Sequence, residues 1–114
     1  LKRLYLGRFS DKVRREYVWA DKEITEPCEI KFCTGCFFCI RTDVFKKVLG
    51  FDKRYFMYFE DADITREVGK VSKVVYFPGT TVTHVWNRDS KKNIKLLLIH
   101  IHSMLKYYAK WKTI

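Results

Sequence analysis

The stretch GFDKRYFMYFEDADI, residues 50–64, joins an aromatic loop to three carboxylates that lie within four positions. Glu60, Asp61 and Asp63 follow directly after a run rich in Tyr and Phe. Crowded carboxylates that aromatic side chains shield from water acquire perturbed pKa values, which can prepare a general base. Acids also favour the first turn of a helix, so capping is the alternative role. Residues 60–70 are predicted to form a helix.

Upstream, residues 29–40 read EIKFCTGCFFCI, a pattern typical of a buried strand that Gly35 interrupts. Cys33, Cys36 and Cys39 are spaced as in some iron–sulfur proteins, and Cys28 precedes them. On a regular strand, however, Cys33 and Cys36 would face opposite sides. We therefore favour cysteines that pack as small hydrophobic residues over a metal site. A disulfide is not expected if the protein is cytosolic.

The remaining elements follow from capping and periodicity. A short helix is predicted from Thr42, with Gly50 after its end. Residues 73–77 and 81–86 are predicted strands, separated by Pro78-Gly79. A long helix is predicted over residues 90–111, capped by Asp89 or Ser90. Its apolar stripe, which we expect to pack on the domain, comprises Ile94, Leu97, Leu98, Ile101, Met104, Leu105, Tyr108 and Trp111.

Composition and charge limit the class of protein. The chain has 114 residues, 47% of them hydrophobic, which suits one modest packed domain. No signal peptide and no apolar run long enough to span a membrane is visible. The net charge of +10 is concentrated at the two ends, and residues 90–114 contain six lysines and no acid. Basic ends suit a membrane surface or a polyanion, and a solubility margin is the simpler alternative.

Several motifs in one order carry a resemblance. They are Cys33-Thr34-Gly35-Cys36, Arg41-Thr42-Asp43-Val44-Phe45, Gly50-Phe51-Asp52, the segment 56–63 (FMYFEDAD), Pro78-Gly79 and Val82-Thr83-His84. Together they resemble the C-terminal half of a family 2 glycosyltransferase with the GT-A fold. The rhamnosyltransferase and galactofuranosyltransferase subgroup is the most similar, and the resemblance covers roughly residues 28–110. In that family the cysteine-rich stretch is a core strand and not a metal cluster.

The resemblance implies roles for individual residues. Asp61 would be the general base of an inverting transfer, and Glu60 would orient the acceptor or the base. His84 matches a position that in some members binds Mg²⁺ or Mn²⁺ on the donor diphosphate, although the metal would be held mostly by the donor-binding half. A packed core residue is the alternative role for His84. The substrate-binding set would be Gly35, whose missing side chain lets the backbone approach the substrate, together with Cys36, Tyr58 and Asp63. For Asp63 itself we favour bracing of the helix.

The predicted architecture is a partial α/β fragment of GT-A type, with a few strands of a mixed sheet, short helices and a long C-terminal helix. Its parts are a basic lead-in (1–27), an acceptor-side part with the catalytic base (28–89) and a basic amphipathic helix (90–114). Its donor-binding half, with nucleotide-binding βαβ units, is not recognisable in these residues, so we expect the chain to be inactive alone.

The expected partners are a nucleotide-sugar donor and a glycan or lipid-linked acceptor. The resemblance implies polysaccharide or cell-wall assembly, with the protein in the cytoplasm. The lysines of the C-terminal helix, beside Tyr107, Tyr108 and Trp111, suit a helix that docks on the inner face of the cell membrane, and packing on the domain is the alternative. A non-catalytic binding module derived from a transferase is one alternative. A basic nucleic-acid-binding domain is another, although no RNP, zinc-finger or helix-turn-helix pattern is present. No nucleic acid is therefore expected as a partner.

Overall fold

The computed structural model describes residues 22–85 and 93–112. These residues contain three helices and two short strands. In chain order they are β1 (Cys28–Glu29), α1 (Thr42–Lys47), α2 (Glu60–Gly69), β2 (Val75–Tyr76) and α3 (Ile94–Trp111). The mixture of helices and strands agrees with the predicted partial α/β fragment, and all three predicted helices are present.

The core of the described part is built around α2. Ile64 and Val68 are buried on one side of this helix, and Tyr55 of the preceding loop is buried with them. Asp63 and Thr65 on α2 are also buried. A core that includes a buried carboxylate must supply hydrogen bonds and an opposite charge for it, because an unpaired buried charge is costly.

The end of α1 is a tight turn that a glycine completes. Leu49 and Gly50 both have positive φ values, 63° and 72°, and the Gly50 N–H donates to the Phe45 carbonyl at 2.9 Å. A Cβ at Gly50 would lie 3.1 Å from the Phe45 ring, so glycine suits both the backbone angle and the space. The Phe45 ring also packs edge-on against Phe51, with the ring centroids 5.8 Å apart.

The sheet is smaller than predicted. β1 and β2 pair antiparallel, with Cys28 opposite Tyr76 and Glu29 opposite Val75. The prediction of a strand through residues 29–40 is wrong, because pairing ends within one residue of β1 and the chain turns at Gly35-Cys36. The predicted strand at 81–86 is wrong for residues 81–85, which have no regular structure, and Trp86 lies outside the described residues.

The cysteine prediction also needs correction. Cys36 and Cys39 are exposed, whereas Cys28 and Cys33 are half-buried, and all four thiols are free. They do not pack as small hydrophobic core residues, because the segment that carries Cys33, Cys36 and Cys39 forms an irregular loop near the surface and not an inner strand.

Helix α3 begins at Ile94 and is capped by Asn93, whose side chain accepts from the Lys95 N–H at 2.9 Å. The predicted caps Asp89 and Ser90 lie outside the described residues. The predicted packing face is wrong. Most of the apolar stripe is exposed to solvent, namely Ile94, Leu97, Leu98, Ile101, Leu105 and Tyr108. The helix instead packs through its more polar side, where Ser103 is buried and donates to the Met57 carbonyl at 2.7 Å.

Candidate functional site

The site begins with a contact between the cysteine-rich loop and the start of α2. The Gly35 N–H donates to Asp61 Oδ2 at 2.9 Å across 26 residues of sequence, and the Ala62 N–H donates to Asp61 Oδ1 at 2.8 Å. These two bonds fix the carboxylate while leaving each oxygen a lone pair, since a carboxylate can accept about four hydrogen bonds. Asp61 is half-buried, whereas Gly35 and Cys36 beside it are exposed.

Thr65 clamps the same loop to the helix one turn further on. Its hydroxyl donates to the Asp61 carbonyl at 2.7 Å and is 3.3 Å from the Cys33 carbonyl. Burial, followed by the charges of Cys36 and Asp61, raises the pKa of the Cys33 thiol. A raised pKa favours the thiol over the thiolate, which is the nucleophilic form.

A strained turn leads into the acidic segment. Tyr58 and Phe59 are both left-handed, with φ values of 68° and 66°, and Phe59 is the N-cap of α2. Each non-glycine residue in this region costs on the order of 1 kcal/mol or more, and such strain concentrates at functional sites. The turn is half-buried, and it sets the direction in which Glu60 and Asp61 leave the loop.

Helix α3 lines this turn with a histidine that sequence reasoning did not select. The His100 ring packs edge-on against Tyr58 and Phe59, with centroid distances of 4.9 and 5.4 Å. Within the described part of the chain, His100 Nδ1 and Glu60 Oε2 are buried side-chain atoms without a hydrogen-bond partner. The sequence offers little signal for His100, because one histidine in an apolar helix is most simply a packing residue.

Asp63 lies in the core beside the site, where it binds α3. Its side chain is 2% exposed. Lys110 Nζ donates to Oδ2 at 2.7 Å, and Trp111 Nε1 and the Tyr55 hydroxyl donate to Oδ1 at 2.8 and 3.3 Å. The geometry is therefore that of a brace, although Asp63 was included in the substrate-binding set.

Lys110 connects three carboxylates and completes the brace. Its ammonium group lies 2.7 Å from Asp63, 3.1 Å from Glu67 and 3.2 Å from Asp52. Burial lowers the pKa of Lys110, but its hydrogen bonds to Asp63, Glu67 and Asp52 outweigh burial, so the pKa lies above its ordinary value. The lysine therefore stays charged, and we call Asp63, Lys110 and Trp111 the α3 brace.

The other predicted residues are less closely grouped. Tyr58 and Glu60 adjoin Asp61 through the strained turn, but His84 is an exposed residue in the irregular stretch 81–85. No group of three or more His, Cys, Asp or Glu side chains in residues 22–85 and 93–112 is placed to hold a metal ion. The described residues thus do not fit a divalent metal site by themselves.

Comparison with known proteins supports the resemblance that the motifs indicated. This chain is 28% identical to rhamnosyltransferase WbbL of Escherichia coli (strain K12) over 107 residues, which are 92% of this chain and 38% of the relative. The chain is 39% identical to the N-acetylglucosaminyl-diphospho-decaprenol L-rhamnosyltransferase of Mycobacterium tuberculosis (strain CDC 1551 / Oshkosh) over 66 residues, which are 55% of this chain and 22% of the relative. The predicted similarity to rhamnosyltransferases is confirmed.

The matches cover only part of each relative. The aligned chain spans well under half the length of each of these relatives, 38% of one and 22% of the other. No family model matches the chain, and no solved structure matches it. The similarity supports a glycosyltransferase-like part of a protein and does not by itself assign the activity of a whole enzyme.

Proposed function

We propose that the chain is the acceptor-side part of an inverting glycosyltransferase and that Asp61 is its general base. The observation that carries the proposal is the Asp61 carboxylate, held at 2.9 Å by the Gly35 N–H at an exposed loop. The similarity to rhamnosyltransferases supports the reaction class. The GT-A fold is part of the proposal.

The proposed reaction uses that carboxylate as the base. One Asp61 oxygen accepts the proton of an acceptor hydroxyl while the hydroxyl oxygen forms a bond to the anomeric carbon of the donor sugar. The bond from that carbon to the diphosphate breaks, and the nucleoside diphosphate leaves with the electron pair. Hydrogen bonds to backbone N–H groups hold Asp61 in position before the acceptor arrives, which reduces the entropy lost at the transition state.

The substrates and the location remain proposals. The donor would be a nucleotide sugar, and the acceptor a glycan or a lipid-linked saccharide, in line with the names of the relatives. Mg²⁺ or Mn²⁺ on the donor diphosphate stays a prediction, and no step here depends on it because the described residues do not fit a metal site. Gly35, Cys36 and Tyr58 are the residues proposed to contact the acceptor, with Glu60 orienting it.

The proposed setting is polysaccharide or cell-wall assembly at the inner face of the cell membrane. None of the described helices is both long enough and apolar enough to cross a membrane. Nucleotide-sugar binding is not expected of these residues alone, because the described elements include no βαβ unit. Transfer is therefore best measured in a complete transferase that carries this chain.

The test is Asp61→Asn, which keeps the shape of the side chain and removes its basicity. We expect kcat to fall at least about 10²-fold, the usual loss for a general base, with donor affinity nearly unchanged. Initial rates and donor titration measure the two quantities. The matched control is Asp43→Asn, an exposed carboxylate on α1 paired with Arg41, which should leave kcat as it is.

Near-normal turnover of Asp61→Asn would exclude Asp61 as the base and leave Glu60 as the candidate. A complete protein that binds an acceptor without transferring sugar, whichever residue occupies position 61, would favour the non-catalytic binding module.

A further inference from the structure

The exposed side of α3 is a surface that the site does not use. Its side chains recur every three or four residues and are aliphatic except for a tyrosine at one end. Ile94 is 67% exposed, Leu98 60% and Leu105 58%. The full set, called here the α3 ridge, is Ile94, Leu97, Leu98, Ile101, Leu105 and Tyr108. Such a continuous apolar ridge marks a surface that another molecule covers.

The ridge is exposed because the opposite side of α3 is fixed to the domain. Ser103 donates to the Met57 carbonyl at 2.7 Å, and the α3 brace holds the last turn through Lys110 and Trp111. The Phe59 and Tyr107 rings add a contact with centroids 5.4 Å apart. Polar and aromatic contacts therefore determine the orientation of the helix, and the ridge faces outwards as a consequence.

Charge identifies the chemistry of the partner. Residues 90–114 contain no acidic residue, and Lys95 and Lys112 are exposed near the two ends of the ridge. Lys110 adds no charge to this surface, because the α3 brace pairs it with carboxylates of the domain. A second copy would bring lysine towards lysine, and the whole chain carries a net charge of +10, so self-association is disfavoured. An apolar helical face with basic residues at its edges is the pattern of a helix that lies in the surface of an anionic membrane.

We propose that the α3 ridge docks the protein on a membrane surface that contains anionic lipid. This inference rests on the proposed function only for its purpose, because a lipid-linked acceptor would be presented at that surface. Ser103, whose hydroxyl binds the carbonyl of Met57 next to the strained turn, lies on the side of α3 that faces away from the ridge. The acidic segment would then lie about one helix diameter, roughly 10 Å, from the lipid.

The experiment is co-sedimentation of the chain with phosphatidylcholine vesicles and with vesicles in which part of this lipid is replaced by phosphatidylglycerol. We expect binding to the anionic vesicles that weakens with salt, and little binding to neutral ones. The variant Leu98→Gln/Leu105→Gln should reduce the vesicle partition coefficient at least about tenfold, because it lacks two apolar side chains that would insert into the bilayer. Lys95→Gln should reduce it about fivefold on anionic vesicles only.

The matched control is Val82→Gln/Val85→Gln, which replaces two exposed apolar side chains, 46% and 80% exposed, outside α3. It should bind vesicles like the unchanged chain. Equal or negligible binding to both kinds of vesicle, or ridge variants that bind normally, would overturn the proposal. So would a ridge variant that dissolves a dimer in sedimentation velocity, or one that unfolds the protein as a buried substitution does, because the ridge would then be covered by protein.

Membrane docking and sugar transfer can be tested separately. Transfer to a water-soluble acceptor analogue tests Asp61 without a membrane, whereas vesicle binding tests the ridge without a reaction. Loss of vesicle binding with intact transfer would remove only the docking surface.

Discussion

Gly35 and Asp61 are 26 residues apart in the chain, and their hydrogen bond depends on the missing side chain of Gly35. A Cβ at position 35 would lie 3.3 Å from Asp61 Cβ, a tight contact. Asp61 Cβ is fixed to the backbone of α2 and cannot rotate away. The loop must therefore shift by a few tenths of an ångström if a methyl group is added.

Gly35→Ala is accordingly expected to lower kcat of a complete transferase by about tenfold, because small misplacements of reacting groups are costly. The free energy of unfolding should change by less than about 1 kcal/mol, since the lost chain entropy of glycine offsets part of the strain. Rate measurements and urea unfolding of the same variant separate the two effects.

Gly69→Ala is the control at this scale, because a Cβ there meets no atom within 4 Å. It should leave kcat unchanged and raise the free energy of unfolding by about 0.5 kcal/mol. Equal effects of the two substitutions on kcat would show that the Gly35 contact does not position Asp61.

At the scale of elements, α3 is held by a buried charge and not by its most apolar side. Asp63 is 2% exposed and Lys110 is 19% exposed by side chain. Removing one member of a buried ion pair leaves the other uncompensated and typically costs about 3–5 kcal/mol. The brace therefore determines both the attachment of α3 and the orientation of its ridge.

Lys110→Met removes the ammonium group and keeps a side chain of similar length. We expect the free energy of unfolding to fall by about 3 kcal/mol, measured by urea unfolding followed by circular dichroism. Lys95→Met, an exposed lysine on the same helix, is the control and should change stability by less than about 0.5 kcal/mol. Similar small changes for both variants would contradict the brace.

At the scale of the whole molecule, the same charges give stability a dependence on pH. The hydrogen bonds from Arg54, and then from Lys110, outweigh burial and hold the pKa of Asp52 far below its ordinary range. Burial raises the pKa of Glu67, but Lys70 and Lys110 outweigh it and the net pKa is lowered. Burial, followed by the charge of Asp63, raises the pKa of Tyr55 to about 12.

The free energy of unfolding should therefore be greatest between about pH 4 and about pH 10. Carboxyl groups with lowered pKa values contribute stability above about pH 4, their ordinary range, and lose it as the pH falls further. Tyr55 and Lys110, whose pKa values are raised, contribute stability that is lost as the pH rises above about 10. Urea midpoints across the pH range measure both limbs, and Lys110→Met should flatten the acidic limb. An acidic limb of equal steepness in the variant would contradict this account.

Some parts of the molecule were predictable because their determinants are local. The acids of the first turn predicted the start of α2 at Glu60, and helical periodicity predicted α3, which runs from Ile94 to Trp111. The motif order predicted the similarity to rhamnosyltransferases. Helix formation and capping depend on residues within about four positions of one another, so one sequence contains the information.

The remaining features depend on contacts between distant segments. Periodicity predicted that the apolar stripe of α3 would pack, yet the structure buries Ser103 and leaves Leu98 and Leu105 exposed. The strand predicted around Gly35 is a loop whose backbone binds Asp61. The sequence by itself determined the helices and the acidic segment. Only the tertiary structure decided which side of α3 is buried, because the buried carboxylate of Asp63 binds Lys110 and Trp111, and neither of them belongs to the ridge.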